Sequence, residues 1–80
     1  MKYYVYIIRS KKHDRYYTGL CADINKRISE HNNGKTRSTK SGVPWVVVKV
    51  EKYNSRQEAY HRERQIKRYK GGEAFKRLIL

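Results

Sequence analysis

The stretches YYVYIIR (Tyr3–Arg9) and YYTGL (Tyr16–Leu20), separated by a polar interval (Ser10–Arg15), decide the fold of this chain. Both runs are rich in tyrosine and β-branched residues, which favour strands. Two such runs around a polar interval predict a β-hairpin with a loop longer than two residues. Successive residues of the first run point to opposite faces, and both faces are apolar. We therefore expect it to be an inner strand that is covered on each side.

The rest of the chain predicts one more strand and three helices. Asp23 is a suitable N-cap for a helix that runs to about Asn32, and Asn33-Gly34 ends it. The run WVVVKV (Trp45–Val50) gives the strongest strand signal and frays into polar residues. A capping box at Ser55–Glu58 opens a helix to about Lys70. After Gly71-Gly72 a last short helix covers Glu73–Leu80.

These elements predict an α+β fold in the order β-β-α-β-α-α, with a three-stranded, mainly antiparallel sheet flanked by helices. The length of 80 residues favours a single domain, residues 1–80. In the first helix, Ile24 and Ile28 form the expected buried stripe, with Arg27 and His31 beside it. In the later helix, Ala59 and Ile66 form the apolar side together with Tyr60 and Tyr69, and Glu63 falls on the inward stripe. Phe75, Leu78 and Ile79 dock the last helix, and residues 35–42 are expected to form a basic, flexible loop.

Charge is the dominant feature of the composition. Lysine and arginine number 20 against 7 acidic residues, for a formal charge of +13. Such an excess predicts a polyanionic partner, with nucleic acid as the first candidate and an anionic membrane surface as a poorer one. No hydrophobic run is long enough for a transmembrane helix, and the N-terminal stretch lacks the apolar core of a signal peptide. The single cysteine, Cys21, excludes an internal disulfide, so we expect a cytoplasmic protein in which Cys21 is a small buried residue.

The hairpin also carries a family resemblance. Tyr4-Val5-Tyr6 and Tyr17-Thr18-Gly19 resemble the paired signature of the GIY-YIG nuclease family, with Tyr4, Val5 and Thr18 as departures from its letters. The resemblance covers nearly the whole chain and is closest to the small single-domain branch. It implies a catalytic set of Tyr6, Tyr17, Arg27, His31 and Glu63, with Gly19 as the motif glycine and Glu63 as the metal ligand. Many members also carry an asparagine after the glutamate, and here Lys67 and Lys70 occupy that region.

The chemistry of these residue types agrees with phosphodiester hydrolysis. A tyrosine hydroxyl can orient or deprotonate water if nearby cations lower its pKa. The planar fork of Arg27 suits phosphate oxygens. One carboxylate, with water and phosphate completing the shell, suits a single Mg²⁺ or Mn²⁺. The predicted activity is therefore metal-dependent endonuclease cleavage of DNA, selective for structure rather than sequence, with RNA as a second substrate candidate.

Exposed cations on the loop and on the later helix are predicted to contact phosphates: Lys35, Arg37, Lys40, Arg64, Lys67 and Lys70. The alternative reading is a basic nucleic-acid-binding protein without catalysis, for example one associated with ribosomes. Under it, the tyrosines pack the sheet, His31 favours a helix dipole and Glu63 forms an ordinary salt bridge. The sequence leaves a monomer and a weak homodimer both open.

Overall fold

The computed structural model describes residues 1–80 and has the predicted order β-β-α-β-α-α. The elements are β1 (Tyr3–Ser10), β2 (Tyr16–Cys21), α1 (Ile24–Asn32), β3 (Trp45–Tyr53), α2 (Arg56–Tyr69) and α3 (Glu73–Ile79), with a single 3₁₀ turn at Lys40–Gly42. None of the helices combines the length and the apolar character that crossing a membrane requires.

The sheet has the strand order β2-β1-β3, and both pairings are antiparallel. The inner position predicted for β1 is confirmed, since Val5, Tyr6, Ile7 and Ile8 are each exposed by 1% or less. The register places Tyr6 opposite Gly19 on β2 and opposite Val50 on β3. β2 and β3 therefore form the two edges of the sheet.

Alternate residues of β1 belong to two separate clusters. Val5 and Ile7 pack with Ala59, Ile66 and Phe75, which lie on α2 and α3. The other cluster lies on the side of α1 and consists of Tyr6, Ile8, Cys21 and Trp45, with Ile24 and Ile28 against it. We call these sides the α2–α3 face and the α1 face. The prediction that Cys21 is buried is confirmed, at 4% exposure.

The burial pattern of the helices differs from the predicted one at two positions. His31 is the buried residue of α1, with no exposed surface, whereas Ile24 and Ile28 are only half-buried. His31 lies seven residues after Ile24 and three after Ile28, so it shares their stripe rather than flanking it. On α2, Ala59 and Ile66 are buried as expected, but Tyr60 is 45% exposed and does not belong to the apolar side.

Two element ends also differ from the predictions. β3 continues to Tyr53 instead of fraying, because Glu51 accepts hydrogen bonds from Tyr53 and from Arg62 of α2 at 2.7 and 2.8 Å. α2 ends at Tyr69, and its C-cap Lys70 adopts the left-handed conformation, with φ of 49°, one residue before the expected glycine. A non-glycine residue in this region is uncommon.

The segment expected to be a flexible loop is held in place by hydrogen bonds. The Ser10 hydroxyl donates to the carbonyl of Gly42 at 2.5 Å, and the Trp45 indole donates to the carbonyl of Thr39 at 2.8 Å. Thr39 and Gly42 are buried, while the cations Lys35, Arg37 and Lys40 are exposed. The loop therefore combines a fixed polar interior with a basic outer surface.

Candidate active site

Tyr6 and Gly19 fit together as one unit at the centre of the site. They lie opposite each other on β1 and β2, and the Tyr6 ring crosses the position where a side chain at residue 19 would begin. A Cβ built on Gly19 would lie 2.5 Å from the Tyr6 Cζ atom, which is closer than real Cβ contacts. Glycine is therefore required at this strand position because the tyrosine ring occupies the space.

A chain of buried hydrogen bonds runs from Tyr6 through α1 to the loop. The Tyr6 hydroxyl lies 2.8 Å from His31 Nε2, and His31 Nδ1 lies 2.7 Å from the Thr39 hydroxyl. The Thr39 hydroxyl in turn lies 3.4 Å from the carbonyl oxygen of Thr36. Tyr6, His31 and Thr39 have no exposed surface, so the chain is shielded from water.

The far end of this chain fixes the direction of its hydrogen bonds. The Thr36 carbonyl only accepts, so the Thr39 hydroxyl donates to it and is left as the acceptor for His31 Nδ1–H. His31 Nε2 then carries a lone pair and accepts the hydrogen bond from the Tyr6 hydroxyl. The arrangement makes His31 a neutral acceptor aimed at the Tyr6 proton.

The pKa shifts agree with this neutral state. Burial lowers the pKa of His31 below its usual value, and the nearby Arg27 cation lowers it further. Burial raises the pKa of the Tyr6 hydroxyl far above its usual range, and Tyr17 adds to this, while Arg27 opposes it. The proton therefore resides on Tyr6 in the isolated protein, and the lowered tyrosine pKa expected from the sequence is not found, because burial outweighs the Arg27 cation. Arg27 is the group that favours departure of the proton.

Arg27 and Tyr17 complete the cluster. The Arg27 guanidinium is half-exposed on α1, beside the Tyr6 hydroxyl, and forms an ion pair with Glu30 at 3.2 Å. The Tyr17 ring centroid lies 5.2 Å from that of His31 and 6.4 Å from that of Tyr6. Four residues proposed from the sequence, which lie on β1, β2 and α1, are thus brought together on the α1 face.

Glu63 lies apart from this cluster, on α2. Its carboxylate forms an ion pair with Lys67 at 3.2 Å and has 15% of its side chain exposed. It forms no hydrogen bond with the four clustered residues, and no three His, Cys, Asp or Glu side chains come together in a group that could hold a metal ion. A mostly hydrated Mg²⁺ needs only one or two carboxylates plus phosphate oxygens, and a half-buried Glu63 with a single competing cation fits that requirement.

The six residues predicted to contact phosphates are all exposed: Lys35, Arg37, Lys40, Arg64, Lys67 and Lys70. Two of them, Lys67 and Lys70, line the largest cavity of the molecule, of about 550 Å³. We call it the β2–α2 pocket; it is bounded by residues 14–18 and by Ile66, Lys67, Lys70, Gly71 and Phe75. Tyr17 lines this pocket, but its ring lies on the α1 face against His31, so the pocket and the candidate cluster are on opposite sides of β2.

Thr39 is the site residue that the sequence analysis missed. It lies in a loop, eight positions after His31, and a threonine in a polar loop has no distinguishing pattern. The burial of His31 could have been predicted from the sequence, because the residue continues the spacing of Ile24 and Ile28 along α1. A fully buried histidine needs partners for both ring nitrogens, and that requirement points to a hydroxyl such as that of Thr39.

Comparison with known proteins agrees with this geometry. The family model of the GIY-YIG catalytic domain matches residues 2–75. A UPF0213 protein of Staphylococcus haemolyticus is 41% identical over 69 residues, which cover 85% of this chain and 83% of that protein. A UPF0213 protein of Halobacterium salinarum is 35% identical over 66 residues, with 81% and 84% covered. The solution NMR structure of a UPF0213 protein from Bacillus halodurans superimposes with a TM-score of 0.64 at 30% identity, over 99% of this chain and 83% of that one.

Proposed function

Because the chain belongs to the GIY-YIG catalytic-domain family, a family of nucleases, we propose that it is a metal-dependent endonuclease that hydrolyses phosphodiester bonds in DNA. The observation that carries this proposal is the buried Tyr6–His31 pair with Arg27 beside it. A tyrosine that only packed the sheet would not need a shielded histidine whose lone pair points at its hydroxyl. A basic binding protein without catalysis has no use for such a pair.

The residues of the cluster have separate roles in the proposed reaction. Tyr6 has no exposed surface in the isolated protein, so the proposal requires that substrate binding brings the attacking water to its hydroxyl. Tyr6 then relays or accepts the proton of this water, and His31 receives the Tyr6 proton in turn. Arg27 lowers the cost of removing that proton and offers its fork to the charge that develops on the phosphate. Tyr17 orients the water or a phosphate oxygen. The shielded position of His31 keeps its acceptor nitrogen free of competing water.

Glu63 is the residue that would hold Mg²⁺ or Mn²⁺. The metal would supply charge neutralisation at the phosphate and a more acidic bound water. In its absence Lys67 neutralises the carboxylate, so metal and lysine compete for the same oxygens. Release of Lys67 on metal binding would free this cation for the DNA backbone.

Substrate binding is proposed to be electrostatic. The +13 charge and the exposed cations of the loop and of α2 favour phosphate contacts, which give affinity without sequence selection. The log of the affinity should therefore fall linearly with the log of the salt concentration. On duplex DNA, the slope of log affinity against log salt concentration should be about −0.9 for each phosphate neutralised.

The decisive test compares Glu63→Gln with Glu58→Gln. Both changes remove one carboxylate from α2, but Glu58 is exposed and caps the helix, a role that glutamine can keep. Plasmid, branched DNA and RNA are incubated with each protein, with and without Mg²⁺ or Mn²⁺. We expect metal-dependent cleavage by the parent and by Glu58→Gln, none by Glu63→Gln, and equal or tighter DNA binding by both variants.

Full-rate cleavage by Glu63→Gln would remove the metal role from this residue. No cleavage of any substrate by the parent, combined with tight salt-dependent binding, would favour the reading as a basic nucleic-acid-binding protein without catalysis.

A further inference from the structure

The β2–α2 pocket is not used by the Tyr6–His31 chemistry, and it lies on the opposite side of the edge strand β2 from that pair. Its volume of about 550 Å³ lies within the range of roughly 300–1,000 Å³ found for small-molecule sites. It is an open, concave space, whereas Tyr6, His31 and Thr39 are fully buried.

The charges of the pocket select an anion. Arg15, Lys67 and Lys70 are the cations along its wall. Asp14 is the one carboxylate that lines it, and Asp14 is neutralised by an ion pair with Arg9 at 2.5 Å. Lys67 is shared with Glu63 at 3.2 Å, whereas Arg15 and Lys70 form no ion pair with a carboxylate. The remaining positive charge matches a phosphodiester and disfavours a cationic ligand.

The aromatic wall selects a flat group next to that anion. Tyr16 is 40% exposed, and its ring rests edge-to-face on Phe75 with centroids 5.2 Å apart. Phe75 is held in the core at 7% exposure, so the tyrosine ring is supported from behind. A supported and partly exposed aromatic ring beside cations is the arrangement on which nucleobases stack in proteins that bind single strands.

The strand that forms the floor adds hydrogen-bonding groups. β2 is an edge strand, so its outer N–H and C=O groups have no strand partner. Tyr16, Tyr17 and Thr18 of this edge line the pocket. These backbone groups can pair with the edge of a base, whatever its identity.

We propose that the β2–α2 pocket holds one unpaired nucleotide, with its base on Tyr16 and its phosphate at Lys67 and Lys70. A base that remains paired is held inside the helical stack and cannot enter a concave pocket. The inference rests on the proposed function and deepens it. The substrate would be DNA with an unpaired nucleotide near the phosphate that is cut, because the pocket and the cluster lie on the two sides of the same edge strand, β2.

The test measures binding without cleavage, in EDTA at physiological salt. Fluorescence anisotropy compares three duplexes of one sequence: fully paired, with one extra unpaired thymidine, and with one extra abasic nucleotide. The last two have the same number of nucleotides and phosphates, and only the first of them carries a base on the extra nucleotide. We expect the unpaired thymidine to increase affinity about tenfold over both others, as for one base stacked on an aromatic ring.

Variants identify the surface responsible. Tyr16→Leu keeps an apolar contact with Phe75 but removes the flat face, and it should abolish the tenfold preference while leaving paired-duplex affinity unchanged. Tyr16→Phe should retain the preference. Equal affinity of the parent for the thymidine and abasic duplexes would overturn the proposal, and this measurement needs no variant. A preference for the thymidine duplex that survives Tyr16→Leu would also overturn it. Base-dependent binding by a protein that never cuts would overturn the proposed function and leave the pocket assignment standing.

Discussion

The two faces of the central strand are built from opposite kinds of chemistry. Val5 and Ile7 meet an apolar cluster on α2 and α3, whereas Tyr6, between them on β1, meets a buried histidine that is itself hydrogen-bonded to a threonine. The α2–α3 face gains stability by removing apolar surface from water. The α1 face buries polar groups that are stable only when all are hydrogen-bonded, and none is left without a partner. One strand thus serves as a structural core on one side and as the support of the candidate site on the other.

The largest effect should come from the α2–α3 face and should concern stability. Ile66→Ala removes a side chain that is 2% exposed in the apolar cluster, and the free energy of unfolding should fall by about 2–5 kcal/mol. Ile28→Ala, on the half-buried stripe of α1, is the matched control and should cost less than half as much. Urea denaturation measures both. Equal losses would mean that the two faces contribute equally to stability.

The next effect should come from the α1 face and should concern rate. Tyr6→Phe keeps the ring packed over Gly19 and removes the hydroxyl, so we expect cleavage to fall on the order of 10²-fold or more. It also leaves His31 Nε2 without a partner, at a cost of about 1–3 kcal/mol in stability. Tyr60→Phe, at an exposed tyrosine of α2, should change neither quantity. A Tyr6→Phe protein that cuts at the parent rate would make the tyrosine a packing residue only.

A smaller effect should follow from Thr39→Val, which keeps the shape and removes the hydroxyl. His31 then loses the acceptor that holds its proton on Nδ1, and cleavage should fall roughly tenfold, as is usual for groups that orient a reacting side chain. Thr39→Ser should restore it. The ¹⁵N chemical shifts of the His31 ring distinguish this role from simple destabilisation. They should show the Nδ1–H form in the parent and in Thr39→Ser, and a mixture in Thr39→Val.

The smallest effect is the pH dependence of stability, in which each face should cause its own decline at a different pH. The lowered pKa of His31 means that the unfolded chain takes up a proton first, so stability should begin to fall as the pH drops below about 6.5.

The pKa of Glu51 is lowered by its hydrogen bonds from Arg62, although burial opposes this. Its contribution is present above its usual value of about 4.5 and is lost as the pH falls through the lower folded value. His31→Gln should remove the first decline and Glu51→Gln the second in urea titrations. A single decline that both variants leave unchanged would contradict this assignment.

The sequence predicted the apolar side of this comparison better than the polar side. Element order, the inner position of β1 and the cluster around Ile66 follow from periodicity and capping, which are local properties of the chain. The hydrogen bonds of Tyr6, His31 and Thr39 join residues 8 and 25 positions apart, and no local pattern reports such pairings. The resemblance to a family supplied Tyr6 and His31, but the reason for their placement required the fold.

The close fit of Tyr6 and Gly19 has a consequence for how this protein can evolve. A methyl group at residue 19 would overlap the tyrosine ring, and a smaller residue at position 6 would leave a void beside the glycine. Neither residue can change alone without a loss of packing, so we expect residues 6 and 19 to evolve together although they belong to separate motifs. Sequence drift in relatives should therefore be freer at the half-buried Tyr4 and limited by burial at Val5 and Thr18, while residues 6 and 19 either persist together or disappear together.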